Sequence, residues 1–277
     1  MTDVIRIQPT KLVKKMYVTD ANGNIGFDIS GNFQIFSIAD SEFGHVIVSE
    51  DANYSGSDLG TVEFVNPDEP VFIDGERYRW ICGRLYKTVI MPDGREWMAE
   101  NLDFKFPGIS LHKDYINYPN EDNFAMYYNF DEETYGFNGE RYGLIYYYKS
   151  IEYLQSRKNY YFPGWHVPDS SEWVSLFRSI GNTASYGYFT KGNKLKSKTG
   201  WINGNGTDDY GFNLKPAGYR SNGSSPSEAG SKVWYFNRYH NSGTQQGTII
   251  FDGSDGISTG DYKAYPSTYV RLIRDAS

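Results

Sequence analysis

The chain has 277 residues and a formal net charge of −7, and its charges form no long run of one sign. Proteins that bind the phosphate backbone of nucleic acid present a basic face, so this balance excludes nucleic acid as an expected partner. The single cysteine excludes an intrachain disulfide, and no apolar segment is long enough to predict membrane insertion.

Aromatic residues are frequent in this chain. They make up 17% of it, including 25 Tyr, and stand among 29 Gly. Such a mixture is typical of a loop-rich, strand-containing domain that presents aromatic rings to a ligand. The alternative is that the tyrosines cover half-buried sheet faces.

Residues 1–70 are predicted to form a small β-rich region that anchors or oligomerises the protein. Two Gly-Asn pairs, offset by eight residues within positions 20–33, lie between short apolar runs and predict successive tight turns. A calcium loop is the alternative, but Ile25 stands where such a loop needs glycine. Further strands are expected at 44–48 and 60–65, and two prolines within 66–70 indicate the end of this region.

Residues 71–277 are predicted to form an α+β domain. A β-hairpin is expected over 86–98, with its turn at Pro92-Asp93-Gly94, and a first helix over 149–158. After residue 181 recurrent glycines predict turns and short strands, and 269–274 alternates as a strand does.

The segment 163–173 predicts a rigid turn that leads into a second helix. Two prolines restrict its backbone, Asp169 can act as the N-cap, and Glu172 lies where a capping box places its carboxylate. Four apolar residues at helical spacing then predict a buried stripe that ends at Gly181. They are Trp173, Leu176, Phe177 and Ile180.

Several ordered motifs extend over residues 76–277. They are Gly-Arg-Glu-Trp-Met-Ala-Glu-Asn-Leu at 94–102, Tyr-Gly-Leu-Ile-Tyr at 142–146, Gly-Trp-His-Val-Pro at 164–168 with Glu172-Trp173, Asn-Lys-Leu-Lys-Ser at 193–197, Gly-Thr-Asp-Asp-Tyr-Gly-Phe at 206–212, Pro-Ala-Gly-Tyr-Arg at 216–220, Trp234, and Val270-Arg271. Together they resemble the Fibrobacter succinogenes major paralogous domain, a family of Bacteroidetes and Fibrobacteres. The resemblance implies a C-type lectin-like domain with two short helices and a loop-rich mixed sheet.

One departure from the family bears on where the protein folds. The resemblance implies a disulfide pair, with one cysteine shortly before Gly-Trp-His and the other in the final Val-Arg strand. Phe162 and Leu272 stand at nearby positions here. Loss of both cysteines to apolar residues fits folding in a reducing cytoplasm. Together with a polar N-terminus that lacks a signal peptide, it favours a phage virion protein made in the host cytoplasm.

No catalytic or metal-binding constellation is predicted, and no cofactor is expected. The four histidines, at 45, 112, 166 and 240, are isolated in the sequence, and His166 is interpreted as a hydrogen-bonded structural residue. Formylglycine-generating enzymes share the broader fold and use reactive cysteines, whereas Cys82 is alone. Asp208 and Asp209 could bind calcium or could organise the turn before Tyr210.

The expected ligand face lies in the loop-rich segment 219–265. Tyr219 and Trp234 belong to the family motifs and are interpreted as core residues. Aromatic faces stack on sugar rings, while Asn and Arg form hydrogen bonds with hydroxyls or carboxylates. The predicted ligand-binding residues are Tyr235, Asn237, Arg238, Tyr239 and His240.

The sequence therefore predicts a non-enzymatic virion fibre or decoration protein of a phage that infects Bacteroidetes. It would contact other virion proteins through residues 1–70 and recognise a bacterial surface glycan or protein. A homo-oligomer, trimer or dimer, is expected because repeated weak contacts gain from avidity. The alternatives are a bacterial cell-surface adhesin whose leader was removed, and a formylglycine-type enzyme or hydrolase.

Overall fold

The computed structural model describes most of the chain from residue 70 onward and short strands before it. The described residues are 4–6, 15–19, 25–28, 46–49, 57–58, 63–65, 70–82, 84–107, 109–112, 124–126, 142–184, 187–220, 227–238, 246–260 and 267–276. Side chains are described from residue 70 onward, except those of His112, Phe124, Met126, residues 246–248 and Gly260. The chain forms two compact units, Met1–Tyr86 and Lys87–Ser277.

The first unit contains short antiparallel strands. They are β1 (Val4–Arg6), β2 (Lys15–Thr19), β3 (Ile25–Asp28), β4 (Val46–Ser49), β5 (Ser57–Asp58), β6 (Glu63–Val65), β7 (Val71–Ile73) and β8 (Glu76–Ile81). β1 pairs with β6, four strands pair in the order β3-β2-β4-β5, and β7 pairs with β8. The strands predicted at 44–48 and 60–65 are confirmed as β4 and β6. Residues 20–24 and 29–45, which carry the two Gly-Asn pairs and the alternative calcium loop, lie outside the described residues.

The second unit is built mainly from strands as well. They are β9 (Arg84–Ile90, from Lys87 onward), β10 (Arg95–Met98), β11 (Ser110–His112), β12 (Phe124–Met126), β13 (Ile145–Tyr147), β14 (Tyr188–Phe189), β15 (Lys232–Arg238), β16 (Gln246–Asp252), β17 (Ile257–Gly260), β18 (Ser267–Thr268) and β19 (Ile273–Asp275). One sheet runs β11-β12-β13-β18, and a second runs β14-β17-β16-β15. β11 and β12 are parallel, and the other pairs of these two sheets are antiparallel. This arrangement confirms the predicted α+β class.

The hairpin predicted over 86–98 is confirmed. β10 pairs antiparallel with β9 on one side and with β19 on the other. Between the hairpin strands, Gly94 adopts a φ of 79°, which glycine tolerates without a Cβ clash, and its amide donates to the Met91 carbonyl at 2.9 Å. The tight turn therefore follows directly from local sequence.

The last strand is shorter than predicted. Of the expected 269–274 strand, only Ile273 and Arg274 belong to β19. The preceding residues still lie along the segment after β10, because the amides of Met98 and Leu102 donate to the carbonyls of Leu272 and Val270 at 3.0 and 2.8 Å. The ladder is interrupted there, and regular strand geometry begins only at Ile273.

Three α-helices lie in the described part of the second unit, α1 (Tyr148–Ser156), α2 (Lys158–Tyr161) and α3 (Ser170–Ser179). α1 and α3 are the two helices that the sequence predicts. α2 is an additional turn of helix, separated from α1 by Arg157. A short 3₁₀ helix follows at Gly192–Lys194.

The core of the second unit is formed where α3 packs against the sheets. The predicted stripe is confirmed, since Trp173, Leu176, Phe177 and Ile180 are all buried. The ring of Trp173 lies with its centroid 4.8 Å from that of Trp97. Burial of each large apolar side chain contributes about 2–3 kcal/mol, so these contacts hold α3 firmly in place.

Candidate functional site

The N-terminus of α3 is closed by a reciprocal capping box. Asp169 Oδ1 accepts a hydrogen bond from the Glu172 amide at 3.0 Å, and Glu172 Oε2 accepts one from the Asp169 amide at 2.8 Å. The predicted box is thus confirmed. Because the first amides of a helix have no partners within the helix, such a cap contributes about 1 kcal/mol.

Glu172 also holds His166. Its Oε1 lies 2.7 Å from His166 Nε2, and because an ionised carboxylate only accepts hydrogen bonds, the ring nitrogen is the donor. The His166 backbone pairs with Ile273 of β19 through bonds of 2.9 and 3.0 Å. The sequence shows His166 as isolated, but the fold pairs it with a glutamate six residues later. The hydrogen bond predicted for His166 is confirmed.

Arg95 connects the hairpin turn to α3. One of its guanidinium nitrogens lies 3.5 Å from Asp93 Oδ2 and also donates to Ser175 Oγ at 3.4 Å. Asp93 Oδ2 accepts from Trp97 Nε1 at 3.2 Å. Burial raises the pKa of Asp93, while the hydrogen bonds from Arg95 and Trp97 oppose that shift. These contacts place a family motif against the start of the helix.

Tyr235 of the predicted ligand set lies in the core. Its side chain is 0% exposed, and its hydroxyl donates to Asn101 Oδ1 at 2.7 Å. Five successive residues of β15 are buried, and the Tyr235 ring packs 5.8 Å from the Trp173 ring and 5.5 Å from the Arg271 guanidinium. Burial raises the pKa of Tyr235, and the charge of Arg271 opposes this. The Tyr235 ring is therefore buried in the core of the structure.

Asn237 and Arg238 lie against the start of α3. Asn237 is buried, and its Oδ1 accepts from Ser170 Oγ at 3.2 Å. Arg238 donates its amide to the Pro168 carbonyl at 3.2 Å, and its guanidinium lies 3.8 Å from Asp169 Oδ2 with the side chain 41% exposed. Asn237 and Arg238 therefore end strand β15 and do not lie in a loop as expected, and the fold brings them against the turn at 163–173, a proximity that the sequence does not indicate.

Tyr239 and His240 lie outside the described residues, so the ligand-binding role of the five residues stays a prediction. Within the described part of that set, Arg238 is the side chain that the structure places at the surface. The core interpretation of Trp234 is confirmed, because it is buried and its ring stacks on Tyr219 with centroids 4.3 Å apart. We define the α3-entry face as Ser170, Ser171 and Arg238.

Arg271 is the centre of a buried polar cluster that the sequence did not predict. The Arg271 guanidinium donates to Asn101 Oδ1 at 3.2 Å, to the carbonyls of Met98 and Asn213 at 3.2 and 3.1 Å, and to that of Phe212. It also lies over the Phe212 ring, 4.7 Å from the centroid. A charged residue inside the alternating apolar segment 269–274 was the available signal, because a buried arginine needs partners.

Lys196 forms a second internal centre. Its buried ammonium lies 2.7–3.4 Å from four main-chain carbonyls, contributed by Gly204, Asp252, Gly253 and Ser254. It also lies 4.8 Å from the centroid of the Trp201 ring. Burial lowers the pKa of Lys196, and the nearby carboxylates of Asp252 and Asp255 oppose the shift. The ammonium ties two loops together.

Asp208 and Cys82 are the residues considered above for metal binding and for cysteine chemistry. Asp208 Oδ1 accepts from the Asn213 amide at 2.7 Å, which is the turn-organising role. Within the described ranges, no three His, Cys, Asp or Glu side chains lie together as a group that could hold a metal ion. Burial raises the pKa of Cys82, which favours the thiol over the nucleophilic thiolate.

The described residues define an α+β protein with few helices and several antiparallel sheets. None of its helices within the described segments combines the length and apolar character that crossing a membrane requires. The model of the Fibrobacter succinogenes major domain matches residues 93–274, and the chain belongs to this family. No curated protein and no solved structure matches the chain.

Proposed function

We propose that the protein is a non-enzymatic fibre or decoration protein of a phage virion, whose C-type lectin-like domain binds a bacterial surface glycan through the α3-entry face. Arg238 is the observation that carries this proposal. Its side chain is 41% exposed, and its guanidinium lies 3.8 Å from the Asp169 carboxylate, which also accepts a hydrogen bond from the Ser171 hydroxyl at 2.6 Å. An arginine fork next to hydroxyl groups suits the hydroxyls and carboxylates of a sugar.

The surroundings of Arg238 favour a preformed face. Its backbone is bonded to Pro168, and the Asp169 carboxylate that faces its guanidinium is itself held by the capping box. A group held by a helix terminus loses little conformational freedom when a ligand binds. This supports recognition by a rigid surface.

The virion setting is supported by Phe162 and Leu272. Both are buried, at the positions near which the family resemblance implies a cysteine pair. Apolar residues that fill these places let the domain fold without a disulfide, as assembly in a host cytoplasm requires. In this proposal residues 1–70 contact other virion proteins, and the protein acts as a dimer or trimer.

A glycan array with the full chain tests the binding function. We expect the wild type to bind at least one bacterial surface glycan, Arg238→Ala to lose at least about fivefold in affinity, and Arg178→Ala to bind like the wild type. Arg178 is a matched control because it is an exposed arginine in the last turn of α3, at the opposite end of the helix from Ser170 and Ser171. Equal binding by Arg238→Ala and the wild type, or no bound glycan, would contradict the proposal.

The gene context tests the virion setting separately. Capsid, portal or tail genes beside the gene would support it. A signal peptide at the start of the full-length gene would instead favour a bacterial adhesin.

A further inference from the structure

An aromatic cluster lies apart in sequence from the α3-entry face, and neither the family match nor the sequence motifs assign it a role. It consists of Phe104 and Phe106, which follow β10, Tyr153 of α1, and Tyr160 and Tyr161 of α2. We propose that this α1–α2 aromatic cluster is a second glycan-binding site, which takes a sugar that carries a carboxylate. The proposal rests on the glycan-binding function proposed above and adds a ligand class.

The rings of the cluster form one continuous layer. Phe106 is its buried base, and the Tyr153 ring stacks on it with centroids 5.4 Å apart and planes at 21°. Tyr161 contacts Phe104 and Phe106 at 5.7 and 5.8 Å, and Tyr160 meets Tyr161 edge to face at 5.0 Å. Tyr160 is 78% exposed, so the layer ends in an accessible aromatic ring.

The backbone holds these rings in position. The carbonyl of Arg157, between α1 and α2, accepts from the amides of Tyr160 and Tyr161 at 2.9 and 3.1 Å. The buried Tyr146 hydroxyl accepts from the Phe104 amide at 2.8 Å and donates to the Phe104 carbonyl at 2.9 Å. A prearranged aromatic surface loses little conformational entropy when a ligand binds, whereas a flexible apolar segment loses more.

The charge next to the rings indicates the ligand class. The Arg157 guanidinium is exposed and lies over the Tyr153 ring, 4.9 Å from its centroid. Two further cations, the exposed Lys105 and the half-buried Lys158, lie on the segments that carry the rings. The same segments also carry two acidic residues, Asp103 and Glu152, which have contacts of their own. Aromatic faces contact the C–H face of a sugar, and an arginine fork binds a carboxylate in two-pronged geometry. A uronic-acid residue offers a C–H face to the aromatic rings and a carboxylate to the arginine.

Hydroxyl groups complete the surface. Burial raises the pKa of Tyr161 to about 12, and its hydrogen bond with Tyr153 acts in the same direction. The Tyr161 phenol therefore keeps its proton at neutral pH, and the tyrosine hydroxyls of the cluster are groups that hydrogen-bond sugar oxygens. Aliphatic side chains in these places would cover the same area without offering any such donor.

The test measures binding of the full chain to hexasaccharides of galacturonate, alginate and hyaluronan by titration calorimetry, with neutral cellohexaose for comparison. We expect one or more acidic hexasaccharides to bind more tightly than cellohexaose. Tyr160→Ala and Arg157→Ala should each weaken that binding by at least about fivefold, and Tyr160→Phe should retain it. Tyr188→Ala is the matched control, since Tyr188 is a tyrosine of β14 that is 57% exposed.

Arg238→Ala separates this inference from the proposed function. Acidic hexasaccharide binding that needs Tyr160 and Arg157 supports the second site, whatever Arg238→Ala does. Binding that Arg238→Ala abolishes and Tyr160→Ala leaves unchanged would overturn the second site and leave the proposed function intact. No preference for acidic over neutral hexasaccharides would also overturn the inference.

Discussion

Tyr235 donates its hydroxyl hydrogen to Asn101 Oδ1 at 2.7 Å, across 134 positions of sequence. Asn101 is buried and uses its remaining groups as well. Its Oδ1 also accepts from Arg271, and its Nδ2 donates to the Tyr142 carbonyl at 2.8 Å. One amide thus connects β15, the final segment and the segment before β13, and a tyrosine expected at a ligand surface is instead part of this internal network.

Removal of the Asn101 amide should be more damaging than removal of the Tyr235 hydroxyl. Asn101→Ala leaves three buried groups without this partner and should lower the free energy of unfolding by about 3 kcal/mol, whereas Tyr235→Phe should lower it by about 1 kcal/mol. Urea unfolding measures both. Tyr188→Phe, at an exposed position, is the control. Equal losses in the two core variants would show that Asn101 does not organise the network.

Two substitutions of Asp169, the N-cap of α3, separate the effect of hydrogen-bond geometry on stability from the effect of charge. Asp169→Ala removes the acceptor for the Glu172 amide and should cost about 1 kcal/mol of stability, whereas Asp169→Asn keeps an acceptor of the same shape and should cost less than about 0.5 kcal/mol. Thermal unfolding monitored by circular dichroism is a suitable measurement. A loss in Asp169→Asn as large as that in Asp169→Ala would assign the stabilisation to the charge.

The Lys196 ammonium should be essential for the loops that it joins. Lys196→Met keeps the aliphatic length but leaves the carbonyls around the ammonium without its three N–H donors, so we expect a loss of about 3 kcal/mol in the free energy of unfolding. Lys198→Met, two residues later and exposed, should change it by less than about 0.5 kcal/mol. Similar stabilities of the two variants, measured by urea unfolding, would contradict this role.

Tyr161 should make stability depend on pH in the alkaline range. Burial raises its pKa from 10.0 to about 12. Because the folded-state pKa is the higher one, its contribution to stability is complete below pH 10 and is lost as the pH rises through about 12. Unfolding measured across this window should show a steeper decline for the wild type than for Tyr161→Phe. Parallel declines would mean that Tyr161 titrates alike in both states.

Phe162 and Leu272 allow a direct test of the cysteine pair that the family resemblance implies. Each single change to Cys should destabilise the fold by about 2 kcal/mol, because it removes buried apolar volume. The double variant should form a disulfide on oxidation and regain stability, which mass spectrometry under non-reducing conditions and thermal unfolding would detect. Two free thiols after oxidation would show that these are not the paired positions.

Local sequence determined the elements whose defining contacts lie within a few residues. The capping box between Asp169 and Glu172, the turn at Gly94 and the apolar stripe that begins at Trp173 were all predicted correctly. Each depends on spacing along a single helix or hairpin, which the sequence shows directly. Family motifs likewise identified the domain, because their order along the chain is itself a sequence property.

Tertiary structure alone decided which side chains share a site. Tyr235 lies in the core because Trp173 of α3 and Arg271 of the final segment pack against its ring, and no pattern within the strand shows these contacts. Arg238 reaches α3 for a related reason, since a parallel bridge places it beside Asp169. Such contacts join residues far apart in sequence, and packing of the whole domain selects them.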